Sequence, residues 1–368
     1  MPETNISEDK NIFARQLAGY KQLIDEDIAI YSQQQQKVVG DSFGDNARLE
    51  VDTYLAILGR GGKRIRGALA IVGYQMCGGK DMVAALQLAR ALEMLHAYIL
   101  IIDDIQDQSD IRRGGPTAHV VLAEYHKAAG LKGNAAHFGM SIALNTALWG
   151  CHQAENVIAS IDIDSETRLK LLTMANNTMA TTAHGQTQDL LNEVAVDLSS
   201  DDIERVLEWK TAQYTFINPL RMGMSLAGAD EQTVAAISAY GTHAGKAFQI
   251  TDDILGIFGT QADSGKSPTD DIRQGKHTVV IAYALKHANQ ADREFLNNML
   301  GNSALTNQDF ERCKDIITNC GARDFAQKVA RQHVTDAVES LDHSVHLLET
   351  SQHNFLRSLA QHLLTRTA

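Results

Sequence analysis

The chain has little proline, with 4 in 368 residues, and it lacks the turn density that proline brings to all-β or low-complexity sequences. It is equally short of cysteine. Cys77, Cys151, Cys313 and Cys320 are widely spaced with no Cys-x-x-Cys pair, which argues against a disulfide framework and for reduced thiols in a cytoplasmic setting. Excess positive charge is missing too: 33 basic against 45 acidic residues give a formal charge of −12, so no nucleic-acid partner is expected. The polar, acidic start from Met1 to Lys10 has no signal-peptide layout. Wholly apolar runs such as Ala97 to Ile102 fall far below the roughly 20 residues of a membrane span, so no transmembrane segment is expected.

What remains is 44% apolar and reads as helix after helix. Residues 1–10 are expected to be a flexible tail and 11–368 a single all-α domain, since no break is long or biased enough for a linker. The stretch Leu198-Ser199-Ser200-Asp201-Asp202 offers an N-terminal cap for a helix through Val206, Leu207 and Trp209. Two helices carry the chemistry: one from about Val83 to Ile111, the other from about Thr233 to Phe258.

The first ends in Asp103-Asp104-Ile105-Gln106-Asp107, where i and i+4 spacing brings Asp103 and Asp107 to one face, about 6 Å apart along the axis. Near the negative end of a helix dipole such carboxylates repel one another unless a cation offsets them. Buried-looking residues, Leu95 to Ile102, precede the cluster, and Arg112-Arg113 follow it, suited to an ion pair or to phosphate oxygens. The second helix sets Asp252-Asp253 within an apolar stretch, where an uncompensated charge is costly. Gly61-Gly62-Lys63-Arg64-Ile65-Arg66 forms a glycine turn entering a helix, a local anion cradle. Acids for hard cations, bases for phosphates and an apolar floor together suit a substrate with a diphosphate head and a hydrocarbon tail, ionised at a metal-assisted site.

In the order and content of these motifs the chain resembles the trans-isoprenyl diphosphate synthases of the polyprenyl synthetase family. Gly185-Gln186, Lys210-Thr211, Phe248 to Asp253, and Gly265-Lys266 with Asp271 to Lys276 complete the match, which covers roughly Val51 to Leu285. The resemblance implies an isoprenoid synthase fold of antiparallel helices around a central cavity, a homodimer, and head-to-tail condensation of isopentenyl diphosphate with an allylic diphosphate. Its acid clusters are then expected to face each other across the active site. Lys63, Arg66, His96 and Arg113 would hold isopentenyl diphosphate. Asp103, Asp107 and Asp252 would ligate three magnesium ions, and Arg112, Lys210, Lys266 and Lys276 would contact the allylic diphosphate. Thr211 and Gln249 would face the developing allylic cation.

Three positions depart from the family pattern: Gly67 stands for proline, Ile102 for histidine, and Gly256 for the third aspartate of the second motif. The last leaves Asp252 as the expected ligand, with weaker metal affinity a consequence. Tyr98 and Ile99, five and four residues before Asp103, would floor the chain cavity and stop growth at a twenty-carbon product, with fifteen carbons the next choice. Two rivals are a class I terpene cyclase, which needs no second diphosphate site, and a regulatory subunit, which would have lost ligands. His343, His346, His353 and His362 are expected at the surface, without tight ligand spacing.

Overall fold

A computed structural model describes residues 4–195, 198–260, 267–344 and 350–365. The chain is all-α, and it divides into two compact units. Unit A comprises residues 14–173 and 222–228; unit B comprises 1–13, 174–221 and 229–368.

Unit A contains most of α1 (Thr4–Phe43), then α2 (Asp45–Gly59), α3 (Ile65–Met76), α4 (Met82–Gln106), a two-stranded ribbon of β1 (Ile111–Arg112) and β2 (Gly115–Pro116), α5 (Ala118–Ala128) and α6 (Ala135–Ala159). Helix α1 begins at Thr4, within the stretch expected to be a tail; after Pro2 nothing interrupts it before Gly19. Helix α4 starts on an Asp81 cap that accepts from Val83 N and Ala84 N. It is long and apolar enough to cross a bilayer by length and composition. Yet it is the core helix of this unit: Leu88, Ala91, Met94 and Ile101 are buried on it against α3 and α6. Contacts are tight enough that Tyr54 of α2, hydrogen-bonded to Met94 O at 2.6 Å, fills the space a side chain at Gly150 would need.

Helix α4 does not reach Ile111 as the sequence suggests. Gln108 enters the left-handed region (φ 50°) and the chain turns into the ribbon, whose two-residue loop, Arg113-Gly114, has positive φ at both positions. That is the mirror-image turn matched to strand twist, and it accounts for the glycines better than a helix stop does.

The unit boundary falls within α7 (Ser165–Val194). Unit B continues with α8 (Ser200–Arg205), whose Ser199–Asp202 capping box bears out the predicted cap. The helix then widens into a π-helical segment, Val206–Ile217, and runs on as α9 (Asn218–Leu226), whose residues from Met222 on are counted with unit A. The expected single helix from Thr233 is instead two: α10 (Glu231–Ala236), capped by Asp230, and α11 (Ser238–Phe258), offset at Ile237. Helices α12 (Asp270–Gln274), α13 (Val279–His287), α14 (Gln290–Met299), α15 (Asn307–Asn319), α16 (Ala322–His343) and α17 (Thr350–Thr365) follow. Ile250, Ile254, Ile257, Val280, Ile281, Phe310 and Ile317 are among the residues of their shared core. His353 is buried rather than at the surface, 3.2 Å from Asp342. His346 lies outside the described residues.

Candidate active site

In unit A the glycine turn, the end of α4 and the ribbon gather charge of both signs. Gly61 (φ 78°) and Gly62 (φ 124°) bend the chain into α3, and a Cβ at Gly62 would stand 2.8 Å from the Arg113 guanidinium, which donates to Gly61 O. Arg64 is not a ligand candidate. It is buried, donating to Asp25 Oδ1 at 2.8 Å, Leu58 O at 2.7 Å and Glu93 Oε2 at 3.3 Å. This pins the turn and leaves exposed Lys63 and part-buried Arg66 beside it.

Glu93 also explains the first departure. Its Oε1 accepts from Gly67 N at 3.0 Å, a bond that proline cannot donate, and a Cβ at position 67 would come within 2.8 Å of Ile24 Cδ1 and 3.3 Å of Ala89 O. His96, part-buried on α4, is held well below its ordinary pKa by burial and by the charges of Arg66, Arg113, Arg112 and Arg64, so it is neutral near pH 7. Burial and the same neighbours lower Arg113 to about 10. A cationic patch this crowded is relieved by an anion.

Asp103, Asp104 and Asp107 are all buried at the end of α4. Arg112 on β1 lies against them, its Nε 2.6 Å from Asp104 Oδ1 and its NH2 3.0 Å from Asp103 Oδ2. Burial works against its charge, but Asp104, Asp103 and Asp107 more than offset this and raise its pKa. The ribbon therefore sends adjacent arginines opposite ways, Arg112 to the acids and Arg113 to the glycine turn. Tyr98 and Ile99 are half-buried on α4; burial, with the charges of Cys151 and Glu155, raises the Tyr98 pKa.

In unit B the corresponding groups come from four elements. Gly241 and Gly245 let α11 approach the π-helical segment, where Cβ atoms would meet Ile217 Cγ1 at 2.8 Å and Ala212 Cα at 2.5 Å. One and two turns further along the same face stand Gln249 and Asp253. Thr211 Oγ1 donates to Gln249 Oε1 at 2.6 Å, and Gln249 Nε2 donates to Asp253 Oδ1 at 2.7 Å. Burial, followed by the charges of Asp271, Asp252 and Asp189, pushes Asp253 well above the usual carboxylate range despite the Gln249 bond. Gly185 lets α7 touch the π-helical backbone, a Cβ there standing 2.4 Å from Lys210 N. Just beyond it Asp189 accepts from Lys210 Nζ at 2.7 Å and from Lys276 Nζ at 3.0 Å, while Lys276 also reaches Glu193 at 2.5 Å. Burial opposes the Asp189 charge, but the two lysines lower its pKa.

Sequence reasoning missed Asp189 and Glu193, although Asp189 sits three residues after Gln186 and ahead of an apolar pair. It also gave Asp271 no role. A Cβ at Gly256 would stand 2.0 Å from Asp271 Oδ2, so a carboxylate from α12 fills the space at the position where the family pattern has its third aspartate. Lys266 lies outside the described residues.

The polyprenyl synthetase family model matches residues 50–317, through both units. The chain belongs to the polyprenyl synthetase family. Its relatives include the geranylgeranyl diphosphate synthase of Saccharolobus solfataricus, 31% identical over 83% of this chain and 87% of that one. The geranylfarnesyl diphosphate synthase of Aeropyrum pernix is 31% identical over 85% of this chain and 92% of that one. Among solved structures, geranylgeranyl pyrophosphate synthase from Corynebacterium glutamicum, complexed with isoprenyl diphosphate and magnesium, superposes with a TM-score of 0.89 at 29% identity, covering 94% of this chain and 98% of that chain. Membership of this family carries with it the all-α isoprenoid synthase fold.

Proposed function

We propose that this polyprenyl synthetase is a short-chain prenyltransferase that joins isopentenyl diphosphate head-to-tail to an allylic diphosphate and stops at twenty carbons. The observation that carries it is the pairing, within unit A, of a crowded cationic patch with a buried carboxylate cluster one helix-end away. Two diphosphates need both kinds of site; one would not. The relatives named above, and the family match over residues 50–317, support the same assignment.

Lys63, Arg66, Arg113 and neutral His96 bind isopentenyl diphosphate, the imidazole as a hydrogen-bonding group without added charge. Buried aspartates crowded enough to draw in a guanidinium fit a hard divalent cation, and Asp103, Asp107 and Asp252 would hold three magnesium ions. Bound there, magnesium neutralises the leaving diphosphate of the allylic substrate. Arg112, Lys210, Lys276 and Lys266 bind the same diphosphate, which draws Arg112 from its present carboxylate partners and keeps the two lysines aimed by Asp189. As the allylic C–O bond breaks, Thr211 and Gln249 present oxygen dipoles to the cation. Their mutual hydrogen bond fixes these dipoles beforehand, so little reorganisation is needed. The double bond of isopentenyl diphosphate attacks the cation, and the released diphosphate takes the proton lost from the adduct.

Half-buried Tyr98 supports an early stop to elongation. Tyr98→Ala should shift products to longer chains by mass spectrometry, and an unchanged profile would rule out Tyr98 as the floor. Helix α4 is read as a core helix, not a membrane span, in keeping with a cytoplasmic enzyme. A homodimer is supported by α6, where Met140, Leu144 and Leu148 are exposed at i, i+4 and i+8. Light scattering on the eluting protein tests this; a monomer mass would contradict it. The assignment as a whole is tested by supplying isopentenyl diphosphate with dimethylallyl, geranyl or farnesyl diphosphate and identifying the products.

A further inference from the structure

Helices α11 and α16 pack along each other, and in the first half of α11 His243 meets His333 and Asp336 of α16. The two Nδ1 atoms lie 3.1 Å apart, and His243 Nδ1 is 3.7 Å from Asp336 Oδ2. All three donor atoms fall within 4.8 Å of one another. A tetrahedral zinc ion with bonds of about 2.0–2.2 Å has donor-to-donor edges of about 3.3–3.6 Å, and the two measured separations bracket that range. Asp336 keeps its second oxygen on Gln332 Nε2 at 2.8 Å, the kind of outer contact that orients a ligating carboxylate. His243 and Asp336 are each 31% exposed, open enough for an ion and a water in the fourth position. The nearby cation, Lys246, is engaged by Glu204 and Glu208.

We infer that His243, His333 and Asp336 form a site for a borderline transition-metal ion, zinc above all, separate from the aspartates that serve magnesium. Two imidazoles and one carboxylate are a poor set for magnesium, which favours an all-oxygen octahedron, and a good one for zinc or cobalt(II). His243 precedes Asp252 by nine residues, or roughly 14 Å of helix, so the ion would touch no reacting atom. It would instead clamp α11, which carries Gln249, Asp252 and Asp253, to α16. Binding only to the folded chain, it would stabilise that pair of helices.

The test uses the full chain in excess magnesium, titrated with zinc chloride by equilibrium dialysis and with cobalt(II) chloride by visible absorption. One equivalent should bind with a tetrahedral cobalt spectrum, and zinc at a hundredfold excess over Kd should raise the Tm by about 3–5 °C. His333→Gln and Asp336→Asn should each weaken zinc at least tenfold while circular dichroism and magnesium-supported turnover stay as in the parent; Asp103→Asn should leave zinc unchanged. Zinc should also protect His243 and His333 from carbethoxylation in the parent chain, read by peptide mass spectrometry, which needs no variant to fold. Unaltered zinc binding in His243→Gln/His333→Gln, or no protection of these two histidines, would overturn the assignment.

Discussion

The two acid clusters are built from the same residue type and are balanced differently. At the end of α4 three buried aspartates stand together, with Arg112 of a two-residue ribbon strand bonded to Asp103 and Asp104. Around α11 the charge is spread: Asp253 accepts from Gln249, which accepts from Thr211, Asp189 holds Lys210 and Lys276, Glu193 holds Lys276, and Asp271 packs on Gly256. The first cluster concentrates ligands around the Arg112 guanidinium, whereas the second preorganises the groups around a single expected ligand. A concentrated site should fail abruptly when one member is lost. A distributed one should fail by degrees.

The largest expected effect is on the first cluster. Asp103→Asn should lower kcat/KM about 10³-fold, roughly 4 kcal/mol, while Asp252→Asn should cost about tenfold less, both read by incorporation of labelled isopentenyl diphosphate. Equal losses would erase the distinction between the clusters. Next comes Asp189→Asn, which removes the carboxylate aiming two lysines and should lower kcat/KM about 10²-fold through the allylic substrate, with the KM for isopentenyl diphosphate nearly unchanged. A loss confined to isopentenyl diphosphate would place those lysines on the wrong substrate.

Each half also holds a glycine where the family pattern has another residue, and these sharpen the comparison further. Gly256→Asp restores the family's aspartate but collides with Asp271 Oδ2, so it should lower activity about tenfold rather than raise it. Higher activity or tighter magnesium use in this variant would mean that Asp271 does not compensate. Gly67→Pro removes the bond to Glu93 and overfills the gap beside Ile24. It should cost about 2–3 kcal/mol of stability, seen as a lower denaturation midpoint in urea, with modest change in kcat for the protein that stays folded.

Much of this site was legible in sequence because its parts are local. Asp103 and Asp107 share a helix face by spacing alone, and Gly61-Gly62 announces a turn before α3. The Ser199 cap was readable for the same reason. The parts that escaped depend on distant partners. Arg64 has no visible role in the sequence until Asp25 and Glu93, 39 and 29 residues away in the chain, are seen to hold it and so to pin the glycine turn. Asp189 looks ordinary until α7 closes on Lys276, 87 residues later. The end of α4 was misjudged because Arg112-Arg113-Gly114-Gly115 reads as a helix stop, and only ribbon pairing reveals the turn. His353 was misplaced because one helix turn of polar neighbours says nothing about what the opposite face meets.

The central claim is that the chain holds two diphosphates and joins their hydrocarbon parts. It is tested most directly by incubating the purified protein with magnesium, isopentenyl diphosphate and farnesyl diphosphate and following both substrates and products by mass spectrometry. The account predicts consumption of one isopentenyl unit per farnesyl unit and accumulation of a twenty-carbon diphosphate. Farnesyl diphosphate lost to hydrocarbon with isopentenyl diphosphate untouched, or no turnover of either at saturating magnesium, would contradict it.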